Sequence, residues 1–311
     1  MMTVTERLDD WSGLHADEAL LRYAPEAVRG LESLVALAPS LVGGDLTELV
    51  RTVCADTLGL DALPSPRGRQ QRDTSGAVDE LLTEFAGQFT VDVSVIDDAA
   101  RRDVVAAFGT DLGAVMAMIY VADWTPRTRR ALDRLFGAPV DGWPVPDRWD
   151  DSAVDAWDRV DAFMRSVARL REVDPVTTEL VRLREARQHN CRICKSLRSR
   201  SALTAGVDES TFDEIDHYED STLDPRQRAA LALADAMIWQ PGHIDDAVFD
   251  DVRAHFSPAE AVELVLDLMR NASSKIAVAT GADQANVAEG VEIYDVRSDG
   301  TVEFGLSAPV G

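Results

Sequence analysis

Cys191 and Cys194 are two of the three cysteines in the chain, and they stand at Cys-x-x-Cys spacing inside the run Glu179-Leu180-Val181-Arg182-Leu183-Arg184-Glu185-Ala186-Arg187-Gln188-His189-Asn190-Cys191-Arg192-Ile193-Cys194-Lys195-Ser196-Leu197-Arg198. The spacing predicts a helix start at this point. Asn190 is a good N-cap, because its side-chain oxygen can accept a free first-turn N–H. Cys191 then falls in the first turn and Cys194 one turn further on. Side chains three apart on a helix are neighbours, so the sulfurs can join as a disulfide with little backbone movement. A helix N-terminus also carries partial positive charge, which favours a thiolate over a thiol. Arg192, Lys195 and Arg198 add positive charge close by. The stretch reads as a place to make a reactive sulfur.

The elements that must position this pair read as helices. Apolar residues recur at helical spacing over residues 16–37, with Pro25 tolerated at a helix start. Asp45 can cap a helix running through Val53. Residues 64–76 lack periodicity and read as a loop that includes Arg67, Arg69 and Arg72. Helical pattern returns over residues 78–89, from an Asp97 or Asp98 cap to Phe108, over 112–121, and over 127–136 behind Pro126. It returns again over 154–170, 225–237, 247–256 and 258–279. The tail differs. Residues 292–296 and 301–304 flank Ser298-Asp299-Gly300 and predict a hairpin around an Asp-Gly turn.

Two landmarks recur in the same order. Thr47-Glu48-Leu49-Val50-Arg51 returns as Thr178-Glu179-Leu180-Val181-Arg182. Ile96-Asp97-Asp98-Ala99 returns as Ile244-Asp245-Asp246-Ala247, each with a phenylalanine twelve positions on. An internal duplication follows from this. The expected fold class is all-α, with two related helical halves and a short C-terminal β-hairpin. The division is a degenerate half over residues 1–137, a linker over 138–151, a half with the cysteine pair over 152–290, and a hairpin tail over 291–311. In the first half, residues 60–63 stand where the cysteines should be and hold no thiol, so chemistry is expected in the second half.

Composition narrows the function classes. The chain has 311 residues, is 46% hydrophobic and 28% charged, and carries a net charge of −24. That balance suits a globular chain with a large core. Acidic surfaces repel phosphate backbones, so nucleic acid is not expected as a partner. Residues 1–10 lack the apolar segment of a signal peptide, and the longest apolar run is too short to span a membrane. The expected location is the cytoplasm, without membrane association. A lone Cys-x-x-Cys there reads as redox-active or metal-binding rather than as a staple. Cys54 reads as a small buried hydrophobe. Asp245, Asp246, Asp250 and Asp251 read as a capped helix with a solvated face.

The second half resembles the carboxymuconolactone decarboxylase and alkylhydroperoxidase D superfamily. The resemblance rests on Glu179 twelve positions before Cys191, on Cys194, on Glu-Leu-Val-Arg-Leu-Arg before the cysteines, on residues 226–236, and on Asn271. It covers about residues 160–285, and it reaches residues 30–136 only through the duplication. It implies an all-helical fold that assembles into homo-oligomers. It also implies that Cys194 attacks peroxide, that Cys191 resolves the product to a disulfide, and that Glu179 relays protons. The family's relay histidine falls on Arg198, which cannot shuttle a proton. Arg198 can still stabilise a thiolate, and His189 is the substitute relay. In one unbroken helix Glu179 and Cys191 would lie about 18 Å apart along the axis. Contact therefore requires a break near His189-Asn190 or a partner's glutamate.

The expected function is a thiol–disulfide oxidoreductase or antioxidant peroxidase with catalytic residues Cys194, Cys191, Glu179, His189 and Arg198. Its partner is a small-molecule peroxide or a thiol/disulfide redox protein, and no cofactor or metal is expected. The alternatives are a non-catalytic structural or redox-sensing oligomer, and a lyase of the carboxymuconolactone decarboxylase kind. For the cysteine pair itself, an inert pair and half of a zinc site stay open.

Overall fold

The computed structural model describes residues 11, 13–39, 42–66, 76–150 and 155–309. Residues 1–10, the basic loop with Arg67, Arg69 and Arg72, the end of the linker at Asp151, and Val154 lie outside the described residues. The fold is all-α with a small three-stranded sheet near the C-terminus.

In the first half, α1 (Ala16–Tyr23) and α2 (Pro25–Val35) lead into α3 (Gly43–Leu58) and α4 (Ala77–Val91). A short 3-10 turn then leads to α5 (Asp98–Phe108) and α6 (Leu112–Phe136). In the second half, α7 (Ala156–Ala168) and α8 (Pro175–Gln188) precede α12 (Pro225–Trp239). Another 3-10 turn leads to α13 (Asp246–His255), α14 (Pro258–Asn271) and α15 (Ser274–Thr280). Between α8 and α12 lie three short α-helices, α9 (Arg192–Lys195), α10 (Arg200–Thr204) and α11 (Glu209–Asp213), and a 3-10 segment, Glu214–Asp220. Helix starts follow local chemistry. Asp97, Asp174, Asp224, Asp245 and Ser257 each accept first-turn amides, and Pro175, Pro225 and Pro258 occupy first helical positions.

Several boundaries differ from expectation. Residues 16–37 form two helices rather than one continuous run, and the second starts at Pro25, as expected of that proline. Asp45 lies inside the first turn of α3, whose N-cap is Val42. Residues 112–136 form one helix with Pro126 inside it. Proline there removes an N–H and crowds the preceding turn. The buried pair Asp123–Arg127 spans that same turn, with Nε to Oδ1 at 2.8 Å. Residues 258–279 split at Ala272-Ser273 into α14 and α15.

α6 packs against α3, α7 and α14, and one continuous apolar core runs through both halves. The segment Asp98–Phe136 is long and apolar enough to cross a membrane by length and composition. Residues 115–129 of it are nonetheless buried within the fold. Lys275 of α15 reaches Asp123 as a second cation, so this buried group ties the halves together. Asp123 and Arg127 lie fifteen and nineteen positions past Phe108; Asn271 and Lys275 lie fifteen and nineteen past Phe256.

The tail forms β2 (Glu292–Val296) and β3 (Val302–Leu306), antiparallel, with Gly300 in the turn at φ 84°. A Cβ on Gly300 would meet the carbonyl oxygen of Arg165 at 2.3 Å, so the hairpin tip closes on α7 only with glycine. β1 (Leu197–Ser199) was not expected; it pairs in parallel with β2, Ser199 opposite Tyr294.

Candidate active site

α8 carries the site and then stops abruptly. His189 is its C-cap, and Asn190 adopts φ 53°, the left-handed conformation in which asparagine is tolerated. Asn190 therefore ends one helix rather than capping the next. The cap of α9 is Cys191 itself, whose Sγ accepts the Cys194 N–H at 3.3 Å. α9 has only four residues, so the dipole argument for a thiolate has little helix behind it.

The structure joins Cys191 and Cys194 in a disulfide, their Cα atoms 5.3 Å apart. Cys191 is fully buried. Cys194 is half-buried and lines a cleft of about 620 Å³. Trp157, Met164, Ile193 and Phe304 supply apolar wall, and Arg182 and Arg270 supply charge.

The three expected cations are engaged elsewhere. Arg192 donates through Nε and Nη2 to Asp283. Burial works to raise the Asp283 carboxyl, but the hydrogen bonds from Arg192 outweigh it and hold it below the usual range. Lys195 Nζ donates to Asn190 Oδ1. Arg198 sits on β1, not one helical turn past Cys194, and its guanidinium grips both oxygens of Glu209 at 2.8 Å. The remaining Arg198 donor meets the carbonyls of Lys195 and Leu197.

Glu179 is buried and accepts four hydrogen bonds. Arg182 donates at 2.7 and 2.8 Å, the Ser199 N–H at 2.9 Å and the Tyr294 hydroxyl at 2.8 Å. Arg182 in turn donates to the carbonyls of Cys194 and Leu197. Glu179 thus reaches the cysteine loop through Arg182, not by touching sulfur. Burial alone would lower the Arg182 pKa, but Glu179 beside it raises it. Burial pushes the Tyr294 hydroxyl up.

His189 lies in the interior with its ring edge-on to Trp124, centroids 6.3 Å apart, and makes no hydrogen bond to either sulfur. Burial, then the charges of Lys275 and Arg127, hold its pKa well below the ordinary value, so the imidazole is neutral at pH 7. Cys54 is buried and receives the Thr90 hydroxyl at 3.2 Å; burial, then Asp123, pushes its thiol up to about 12. Asp245 caps α13, and Asp250 pairs with Arg253. Among the described residues, no group of three His, Cys, Asp or Glu is placed to hold a metal ion.

Over 287 residues the chain is 46% identical to an uncharacterized protein of Mycobacterium tuberculosis, MT2376 in strain CDC 1551 / Oshkosh and Rv2313c in strain ATCC 25618 / H37Rv. The alignment takes in 91% of this chain and 99% of each relative. The chain belongs to the family of these mycobacterial proteins. No family model and no solved structure matches it.

In this Rv2313c-family chain, sequence reasoning missed Tyr294 and did not count Arg182 among the site residues. Tyr294 is 115 residues from Glu179, and nothing local marks a hairpin tyrosine as a partner. Arg182 does carry a signal, because it falls three positions after Glu179 on one helix face. Glu185 was also missed. It is buried, neither of its oxygens has a hydrogen-bond partner, and burial raises its pKa well above the ordinary value.

Proposed function

We propose that the chain is a thiol–disulfide oxidoreductase of the alkylhydroperoxidase D-like type. The observation that carries this reading is the disposition of the cysteine pair: Cys194 on the wall of the large cleft, Cys191 buried behind it, and the two within bonding reach. In the peroxidase form of the reaction, the Cys194 thiolate attacks the distal oxygen of a hydroperoxide and expels an alcohol. The resulting sulfenic acid condenses with the Cys191 thiol, releasing water and forming the disulfide. An external dithiol then reduces the pair through a mixed disulfide. Protons enter from solvent in the cleft, because Glu179, His189 and Arg198 make no hydrogen bond to sulfur.

The partner is accordingly a small hydroperoxide or a dithiol redox protein. The proposed setting is the cytoplasm, as a homo-oligomer with no nucleic acid or membrane partner. The test is a thiol count on the reduced protein before and after mild peroxide, with peroxide consumption measured in Cys194→Ser. Free thiols that persist, or consumption unchanged in Cys194→Ser, would end the reading.

The saturation of Glu179 and the pairing of Arg198 with Glu209 favour a second reading, a non-catalytic redox switch. In that case oxidation alters the protein's assembly, and turnover with added dithiol stays at the uncatalysed rate.

A further inference from the structure

The first half holds a cavity of about 500 Å³ at the place that corresponds, by chain order, to the Cys194 cleft. Counted from Thr47 and Thr178, Leu60 and Leu63 stand where the second half has Cys191 and Cys194. Counted from Phe108 and Phe256, Pro126 and Arg129 stand where it has Ser274 and Ala277. Leu60, Leu63, Pro126 and Arg129 line the one cavity, and Cys194, Ser274 and Ala277 line the other. The two share no lining residue. The second-half cavity has sulfur beside Arg182 and Arg270; the first has no sulfur and carries the guanidinium groups of Arg129 and Arg130 with the carboxylates of Asp61 and Asp133.

Arg129 is unlike the other buried arginines. Arg127 donates to Asp123 and to the carbonyls of Met237, Ile238 and Thr90. Arg198 is paired with Glu209. Arg129 is 8% exposed, makes no hydrogen bond or ion pair to any described residue, and has a buried Nε without a partner. Its one contact of note is the ring of Trp143, 4.8 Å from Cζ. Asp133, the acid best placed to neutralise it, accepts instead from Trp143 Nε1 at 3.1 Å. Burial lowers the Arg129 pKa to about 10, opposed by Asp133 and Glu32, so the group is charged at neutral pH. Buried charges in folded proteins are paired or hold a ligand, because an isolated one is strongly disfavoured. Arg130, half-buried on the same wall, likewise makes no hydrogen bond or ion pair among the described residues.

We propose that this cavity is a binding site for a small oxyanion, a carboxylate or a phosphate, held by the guanidinium groups of Arg129 and Arg130. The planar fork of arginine donors matches the oxygens of either group bidentately. In a chain of net charge −24, and with Asp61 and Asp133 lining the same cavity, the surrounding field does not attract anions, so selection rests on these two guanidinium groups.

The test is isothermal titration of the full chain with inorganic phosphate and, separately, with succinate, at ionic strength fixed by chloride. One anion should bind saturably at one site per chain, tenfold or more weakly in Arg129→Gln and in Arg130→Gln, and unchanged in Cys194→Ser. Phosphate preference assigns a phosphorylated ligand; succinate preference assigns a carboxylic acid. Should Arg129→Gln fail to fold, the half-exposed Arg130→Gln decides. Neither anion binding more tightly than chloride, or binding that survives the arginine substitutions, overturns the proposal.

Discussion

The Tyr294 hydroxyl donates to Glu179 Oε2 at 2.8 Å across 115 residues of chain. That bond pins the C-terminal hairpin to α8 at the carboxylate which also orients Arg182 against the Cys194 carbonyl. Tyr294→Phe removes one donor of four and should cost about 1.5–3 kcal/mol, the range for a hydrogen bond to a charged group. Glu179→Ala should cost more, about 3–5 kcal/mol, because it leaves a buried guanidinium without its counterion. Urea unfolding of both variants checks the order. Equal losses would mean that the carboxylate does not hold the network together.

Thiol labelling separates the three cysteines. In the reduced native protein, iodoacetamide should modify Cys194 first, since it alone reaches the cleft. Cys191 should follow slowly, because it is buried. Cys54 should stay unmodified until the chain is unfolded, since burial pushes its thiol up to about 12 and little thiolate forms at pH 8. Peptide mass spectrometry over a time course gives the three rates directly.

How far these features were legible in the sequence depends on the range of the interaction. Asp97, Asp245 and the Asp299-Gly300 turn act on residues a few positions away, and the helices and hairpin beside them were readable. The Cys191–Cys194 pairing is local for the same reason. Asn190 misled because asparagine serves both as an N-cap and in the left-handed turn that ends a helix, and only the packing of α8 decides between them. β1 was hidden because three residues carry no periodicity, and its partner strand lies in the tail. The cations around the cysteines were visible, but their carboxylates, Asp283 and Glu209, were not. Which charges a sulfur meets is settled by those tertiary partners.

The buried group Asp123–Arg127–Lys275 should respond asymmetrically to substitution. Asp123→Asn strips the counterion from two buried cations and should cost about 3–5 kcal/mol. Lys275→Met leaves Asp123 paired with Arg127 and replaces an ammonium by a thioether of similar length. Buried ion pairs replaced by apolar groups are often close to neutral, so the cost should stay under about 2 kcal/mol. Urea melts of the two variants at pH 7 make the comparison, and a Lys275→Met loss as large as that of Asp123→Asn would assign the lysine a larger share.

Glu263 sets a pH dependence of opposite sign to that of an ordinary paired carboxylate. It lines a cavity of about 320 Å³ beside Glu179, and burial, with Asp267 adding to it, pushes its carboxyl up to about 8. The amides of Glu172 and Val173 work against that rise. The ordinary value is 4.5, so between roughly 4.5 and 8 the folded chain holds a proton that the unfolded chain has released. Stability from this group is therefore full below about 4.5 and is lost as pH rises through 8. Asp267, which burial raises to about 6, acts in the same direction over a lower range. Glu263→Gln keeps an acceptor for the Glu172 N–H and cannot ionise. At pH 8 it should be more stable than the parent by roughly 2–4 kcal/mol more than at pH 5, since a tenfold change in proton affinity on folding corresponds to about 1.4 kcal/mol. Urea unfolding at the two pH values measures this. A stability difference between variant and parent that does not change with pH would show the carboxyl to be ionised in the folded chain.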